Sequence, residues 1–482
     1  MPRILQSALA SIVATLLIGQ PVADAQNLPD FGSPADSVIT KSREKLLGQS
    51  VINELRRAGA IVDDPLLNEY IRLLGSQIAS QVNDDGDYAF EIFMIDDESI
   101  NAFAMPGGVI GVNLGLLQAT GNESELAGVL AHEISHVTQR HIARAIYDQQ
   151  RGSIVTIASM IAAILLANAA DGSSDARMGA IAAAQAAGVQ RQINFTRENE
   201  YEADRIGMDV LARAGFDPLG MSGFFEKLSR LEGPSSNVIP EMLRTHPTSS
   251  ARVAEARARA RQLPRVVHED SIAYGLARAR IRDLTTPRAR ESIAYFEPRA
   301  ASGNPADRYG LALGLGRVGL DDEAERLFRA LSEEHPSVIA FRIGRAEALM
   351  AGQLDDQAMA VYREANALSP RHVPLVMSFA KALIDSGRPA EAHSLLLDLL
   401  NNVPPTPEQI SLIARAADAE GDRINSLHYL AEYFSSIGDL RLAIDQLNKA
   451  LALPELNSVQ HARFTARIAE FEEYLAESER VR

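Results

Sequence analysis

The C-terminal half of the chain repeats itself about every 34 residues, and no other feature narrows the fold as far. Pro336, Pro370 and Pro404 lie 34 and 34 residues apart, Ala324, Ala358 and Ala392 keep the same interval, and Gly319, Gly352, Gly387 and Gly421 follow at 33, 35 and 34. Each unit reads as an apolar helix, a glycine turn, a second helix with a small alanine near its start, and a proline that stops it. A helix pair of this size cannot bury its apolar faces alone, so successive pairs must stack. Composition agrees: aromatics make up only 5% of the chain and Trp is absent, while Ala and Leu abound, which favours helix.

The unit resembles a tetratricopeptide repeat, and Gly438-Asp439-Leu440 with Ala443 reads as a last, out-of-phase copy. Such an array implies a concave surface for peptides or partner proteins, or else a structural buttress. The 482 residues then divide into residues 1–25, a mixed domain over 26–265, a helical linker over 266–305 and the repeats over 306–482. In the mixed domain Tyr88–Ile95 (YAFEIFMI) is dense in aromatic and β-branched residues and predicts a strand. Pro106-Gly107-Gly108 predicts a turn into a second strand, Val109 to Val112. From Glu123 the pattern is helical. The expected fold is therefore an α+β domain, mainly helical with a small sheet, followed by an all-α repeat solenoid.

The chain contains no Cys, which excludes disulfide scaffolds, thiolate metal sites and thiol nucleophiles, so any metal must be held by His, Asp or Glu. Forty-seven basic against 63 acidic residues give a net charge of −16, a poor balance for binding nucleic acid. The chemistry centres on His132-Glu133-Ile134-Ser135-His136, which continues the helical run from Glu123. On a helix, positions i and i+4 are about 40° apart, so both imidazoles leave one face, as two ligands of a tetrahedral zinc ion require. Glu133 beside them is placed to act as general base.

A catalytic zinc needs a third protein ligand. A histidine six residues beyond the second is absent, since position 142 is Ile and position 139 is Gln. The acidic helical run 198–210 offers Glu200 as ligand, with Glu198 as the weaker rival and Glu202 pointing elsewhere. Asp204 shares a face with Glu200 and would accept a hydrogen bond from the free nitrogen of a ligand histidine. His246, in Arg244-Thr245-His246-Pro247, is a candidate oxyanion donor, a candidate fourth ligand that silences the site, or a structural loop residue. Arg252 is expected to pin this loop to a carboxylate. His141 is expected to support the site or the fold rather than to ligate.

The runs NAFAMPGG, HEISH, EYEAD and RTHPTSSAR, over roughly Asn101 to Arg252, resemble the gluzincin metallopeptidases of the HtpX and Oma type. With the repeats and the N-terminal segment, the pattern is most similar to the group of beta-barrel assembly-enhancing proteases. The resemblance implies that His132, His136 and Glu200 bind one zinc ion, that Glu133 is the general base, and that Asp204 supports a ligand. It also implies proteolysis and chaperone-like handling of unfolded or misassembled outer-membrane proteins, with the repeats docking on the assembly machinery. The membrane-spanning helices of HtpX-type members are missing, which implies a soluble or peripheral version.

Met1-Pro2-Arg3, the apolar run 4–19 and Ala23-Asp24-Ala25 read as a secretory signal cleaved after Ala25, which would place the protein in the periplasm; an uncleaved anchor helix is the alternative. Residues 153–170 contain no charge and read as a buried helical hairpin, a hairpin resting on a membrane surface, or a spanning helix. Substrate is expected on the strand formed by Gly108, Val109 and Ile110 onward, an extended peptide adding to its edge with Asn101 and Ala102 at the cleft wall. Two functions follow: a zinc endopeptidase with a client-binding array, or a client-binding chaperone whose zinc site is structural or self-inhibited.

Overall fold

The computed structural model describes residues 39–82, 89–149, 197–231, 240–247 and 249–481. The expected signal segment 1–25 and the apolar stretch 153–170 lie outside them. No described helix is long and apolar enough to cross a membrane.

The N-terminal domain begins with α1 (Lys41–Arg57), capped by Thr40, and α2 (Pro65–Ala79). Asp64 caps α2 by accepting from the backbone N–H groups of Leu66 and Leu67, and Pro65 fills the first-turn position where no N–H is needed. Three strands follow: β1 (Glu91–Ile95), β2 (Ala102–Met105) and β3 (Val109–Asn113). β3 lies in the middle, parallel to β1 and antiparallel to β2. Its five residues are all buried, as a strand covered on both edges and both faces requires. Gly107 and Gly108, with φ of 83° and 89°, make the turn between β2 and β3.

This order corrects the expected substrate strand. Val109 and Ile110 already pair on both sides, and Gly108 is turn, so no peptide can add there. The edge left unpaired by any described strand on this side of the sheet belongs to β2. The two strands expected from the sequence are β1 and β3, which pair in parallel; β2 before the Pro106-Gly107-Gly108 turn is a third strand that the sequence reading did not separate.

After α3 (Leu114–Ala119), α4 (Glu123–Thr138) runs through the domain centre, with every residue from Glu123 to Val137 buried. A helix covered on all sides needs small residues where neighbours cross it. Gly207 on α6 (Arg197–Arg213) provides one: a Cβ there would sit 2.9 Å from the Ala131 carbonyl oxygen. Gly220 on α7 (Leu219–Leu231) meets the Ser124 carbonyl in the same way. These close approaches bring α6 against the histidine-bearing turns of α4. The short helix α5 (His141–Gln149) follows α4, and α8 (Glu241–Thr245) and α9 (Ser250–Ala260) close the domain.

The expected linker is itself a helix pair, α10 (Ile272–Thr285) and α11 (Ala289–Ala300). The repeats continue as α12 (Pro305–Arg317), α13 (Asp321–Glu334), α14 (Ile339–Ala351), α15 (Asp355–Leu368), α16 (Val373–Asp385) and α17 (Pro389–Asn402). They end with α18 (Pro407–Glu420), α19 (Arg423–Ser436), α20 (Leu440–Leu451) and α21 (Ser458–Val481). Ala324, Ala358 and Ala392 are fully buried between helices. Four of the residues in left-handed conformation at the turns, Gly319, Gln353, Gly387 and Gly421, follow one another at intervals of 34. The irregular glycine spacing therefore has a cause: Gly352 sits one residue early, and Gln353 takes the strained position.

The repeats curl back onto α1 and α2. Leu66 packs into the repeat core. Arg280 on α10 pairs with the capping residue Asp64 and donates to Tyr309 Oη at 3.1 Å. His372 faces Glu69 of α2 at 3.3 Å. Gly438 meets Asn53 of α1 so closely that a Cβ would lie 2.6 Å from its side chain. Clefts of about 540 and 530 Å³ flank this seam.

Candidate metal centre

The i, i+4 spacing on α4 places His132 Nε2 and His136 Nε2 3.0 Å apart in the domain interior. α6 brings Glu200, whose carboxylate oxygens lie 3.5 Å from His132 Nε2 and 3.4 Å from His136 Nε2. His246 ends the one-turn helix α8, its backbone N–H donating to Met242 at 2.8 Å. Its Nδ1 lies 3.0 Å from Glu200 Oε1 and 3.3 Å from His132 Nε2. The four residues offer ligand atoms all within 4.8 Å of one another. A tetrahedral ion with bonds of about 2.0–2.1 Å has donor–donor edges of about 3.3 Å, so these separations suit zinc with imidazole and carboxylate ligands.

Glu133 lies beside this set. Both of its carboxylate oxygens are buried and have no hydrogen-bond partner among the described residues, and the His246 ring is 3.6 Å away. A buried carboxylate in that condition is costly unless a cation or a polar ligand faces it. That second observation supports a metal in the same pocket.

Two charged groups orient the ligands from behind. Asp204 Oδ1 lies 2.9 Å from His132 Nδ1. Arg252 binds Asp204 with Nε at 2.6 Å and Nη2 at 2.8 Å, and Glu200 with Nη1 at 2.6 Å. It also donates to the Pro247 carbonyl, next to His246, at 3.2 Å, and its guanidinium covers the Phe225 ring at 4.7 Å. The expectation that Arg252 pins the loop is met, with two carboxylates rather than one.

The electrostatics follow from this network. Burial disfavours the carboxylate of Glu200, but His246, His132 and His136 outweigh it and hold Glu200 well below the usual range. Burial likewise opposes ionised Asp204, and Arg252 and His132 overcome it. For His132, burial is outweighed by Asp204 and Glu200, which push it up to about 9. Burial and the neighbouring His132 pull His136 well below its usual value.

His141 does not reach the donor set. Its Nδ1 lies 2.7 Å from His136 Nδ1, and its Nε2 lies 3.1 Å from Glu202 Oε2. Burial lowers its pKa to about 4. Glu202 is turned away from the ligands as expected, but toward a histidine that the sequence spacing did not connect to it. Glu198 does not join the cluster. Asn101 and Ala102 are buried at the head of β2. Ala104 and Met105 of β2 line a small recess with His136 and Arg140, which puts the strand beside the ligands.

A helix-borne His-Glu-x-x-His set, a glutamate from a second helix and a supporting aspartate define a metallopeptidase. A family model described as peptidase family M48 matches residues 65–260, and one described as tetratricopeptide repeat matches 355–416. The beta-barrel assembly-enhancing protease of Escherichia coli K12 is 36% identical over 472 residues, covering 96% of each chain. The protein of that name from Yersinia pestis is 34% identical over 479 residues, covering 95% of this chain and 96% of the relative. The mitochondrial metalloendopeptidase OMA1 of Arabidopsis thaliana is 24% identical over 224 residues, 46% of this chain and 42% of that protein. The chain therefore belongs to the M48 peptidases, in the group of beta-barrel assembly-enhancing proteases. It is a zinc metalloendopeptidase with C-terminal tetratricopeptide repeats.

Proposed function

We propose that the protein is a periplasmic endopeptidase that holds one zinc ion, degrades misfolded or stalled outer-membrane proteins, and assists their assembly through its repeats. The observation that carries the hydrolytic part is the bare, buried carboxylate of Glu133 beside the four-donor set. The names of the relatives support the link to barrel assembly.

His132, His136 and Glu200 would hold the zinc, which lowers the pKa of water and polarises a peptide carbonyl. Glu133 takes the proton from the attacking water and returns it to the leaving amine. Asp204 keeps His132 in the tautomer that presents Nε2, and Arg252 keeps both carboxylates in place. An extended client segment would lie along the free edge of β2, from Asn101 and Ala102 onward, held by backbone hydrogen bonds. Binding of that kind tolerates many sequences, so access selects the substrate and folded domains stay out.

His246 favours a second state of the same site. Catalytic zinc keeps one position open, whereas His246 offers a fourth donor that would fill it. In that state the protein binds clients without cutting them, and it cuts when the loop after α8 withdraws. His246 would then be free to face the developing oxyanion. The test is zinc content together with cleavage of casein and of an unfolded outer-membrane protein. The reading expects about one zinc per chain in both wild type and Glu133→Gln, with cleavage in wild type alone. Zinc in both and cleavage in neither, even after His246→Ala, would leave only the chaperone.

A further inference from the structure

We propose that His141 and Glu202 are positioning residues for the metal ligand His136: their hydrogen bonds fix the tautomer that turns its lone pair toward the metal. The inference rests on the metallopeptidase reading above.

His136 presents Nε2 to the donor set, so Nδ1 faces the other way, where His141 Nδ1 lies 2.7 Å distant. Two ring nitrogens that meet share one proton. The direction of the bond is set at the far end of the chain. His141 Nε2 meets the Glu202 carboxylate at 3.1 Å, and a carboxylate only accepts. His141 must therefore carry its proton on Nε2 and accept with Nδ1. His136 must then carry its proton on Nδ1, which leaves the lone pair on Nε2 free for a cation. Arg144 pairs with Glu202 and holds the anchor in place.

The backbone is built to bring this about. Arg140 sits between α4 and α5 with φ of 53°, a conformation that side-chain-bearing residues rarely adopt. Its buried guanidinium is held by the Ile39 carbonyl at 2.7 Å and by Glu44 at 3.3 Å. The kink ends α4 and lays the His141 ring against His136, with centroids 4.8 Å apart and planes at 76°. His132 meets the same need with Asp204 directly. The two ligand histidines thus each end on a carboxylate, one at first hand and one through a second imidazole.

The test is the zinc dissociation constant of the whole protein, read by competition with a chelating dye, with thermal unfolding of the zinc-free protein measured in parallel. His141→Leu removes the acceptor and should weaken zinc binding by about ten- to hundredfold. His141→Asn offers an amide oxygen where Nδ1 was but loses the Glu202 anchor and can also donate, so it should bind zinc more weakly than wild type yet better than His141→Leu. Glu202→Gln keeps the shape at a half-exposed position. Its amide can also donate, which lets the chain reverse and puts the proton on His136 Nε2, so it should lose affinity severalfold without a change in zinc-free unfolding. Wild-type zinc affinity in both His141→Leu and Glu202→Gln would overturn the inference. So would an equal loss in Asn and Leu that tracks a drop in zinc-free stability, which is the mark of packing alone. A wild-type protein without zinc would defeat the metallopeptidase reading itself.

Discussion

His246 Nδ1 stands 3.0 Å from Glu200 Oε1, so a loop residue shares the donor set with the helix that supplies its acid. The loop is tethered at both ends: Met242 N–H donates to the Ile100 carbonyl just before β2, and Arg252 holds the Pro247 carbonyl. Removal of the His246 imidazole should open the site. If the open state of the wild type is a tenth of the population or less, His246→Ala raises casein cleavage about tenfold or more, unless the ring is also needed for the oxyanion. A progress curve for both proteins at equal zinc loading gives the answer, and reduced cleavage in the variant would assign His246 to catalysis instead.

Arg252 joins Asp204 to Glu200 in a dry interior. Arg252→Ala leaves two carboxylates buried without their cation, at a cost of about 3–5 kcal/mol in zinc-free stability. Zinc should restore part of that, because the ion takes over the neutralisation of Glu200. Unfolding midpoints of wild type and variant, with and without zinc, check this. An unchanged gap between the two proteins on adding zinc would show that Arg252 acts through packing on Phe225 alone.

Gln353 occupies the left-handed turn position that glycine holds at 319, 387 and 421. Relief of a strain of about 1–2 kcal/mol, less about 0.4–1 kcal/mol for glycine's freedom in the unfolded chain, should make Gln353→Gly more stable by about 0.5–1 kcal/mol. Urea unfolding followed by circular dichroism measures it. A destabilised variant would mean that the Gln353 side chain contributes more than its backbone costs.

Glu69, on the seam between α2 and the repeats, is pushed up to about 7 by burial, against the pull of Arg72. His372 faces it, itself lowered by burial. A carboxyl raised in the folded state favours folding while protonated in both states. Its contribution is present below the unfolded value near 4.5 and is lost as pH rises through about 7. Glu69→Gln removes that loss, so the stability of the variant relative to wild type should grow as pH goes from 5 to 8. A difference that stays flat over this window would contradict the shift.

Much of the centre was legible because its geometry is helical. His132, His136, Glu200 and Asp204 are paired by i, i+4 spacing, and spacing on a helix is position in space. His246 and Arg252 were legible as motif residues, though their contacts were not, since the loop after α8 reaches the site only by folding back. The repeats were legible because one period links Pro, Ala and turn residues. Their glycines misled at one point only, where Gln353 replaces the expected residue. The strand order was not legible: β1, β3 and the turn before β3 were read, but β2 was not read as a strand, and nothing local says that β1 will take the far edge of β3. The link from His136 through His141 to Glu202 was hidden for the same reason, since α5 and α6 meet only in the folded domain.

The account turns on a four-donor metal site that closes on itself, and the number of imidazoles bound to zinc tests it most directly. Zinc K-edge X-ray absorption on wild type and on His246→Ala reads that number. The account predicts three imidazoles and one carboxylate in wild type, from His132, His136, His246 and Glu200, and two imidazoles in the variant. Two imidazoles in both proteins would contradict it, since His246 would then stand beside the metal without ever holding it.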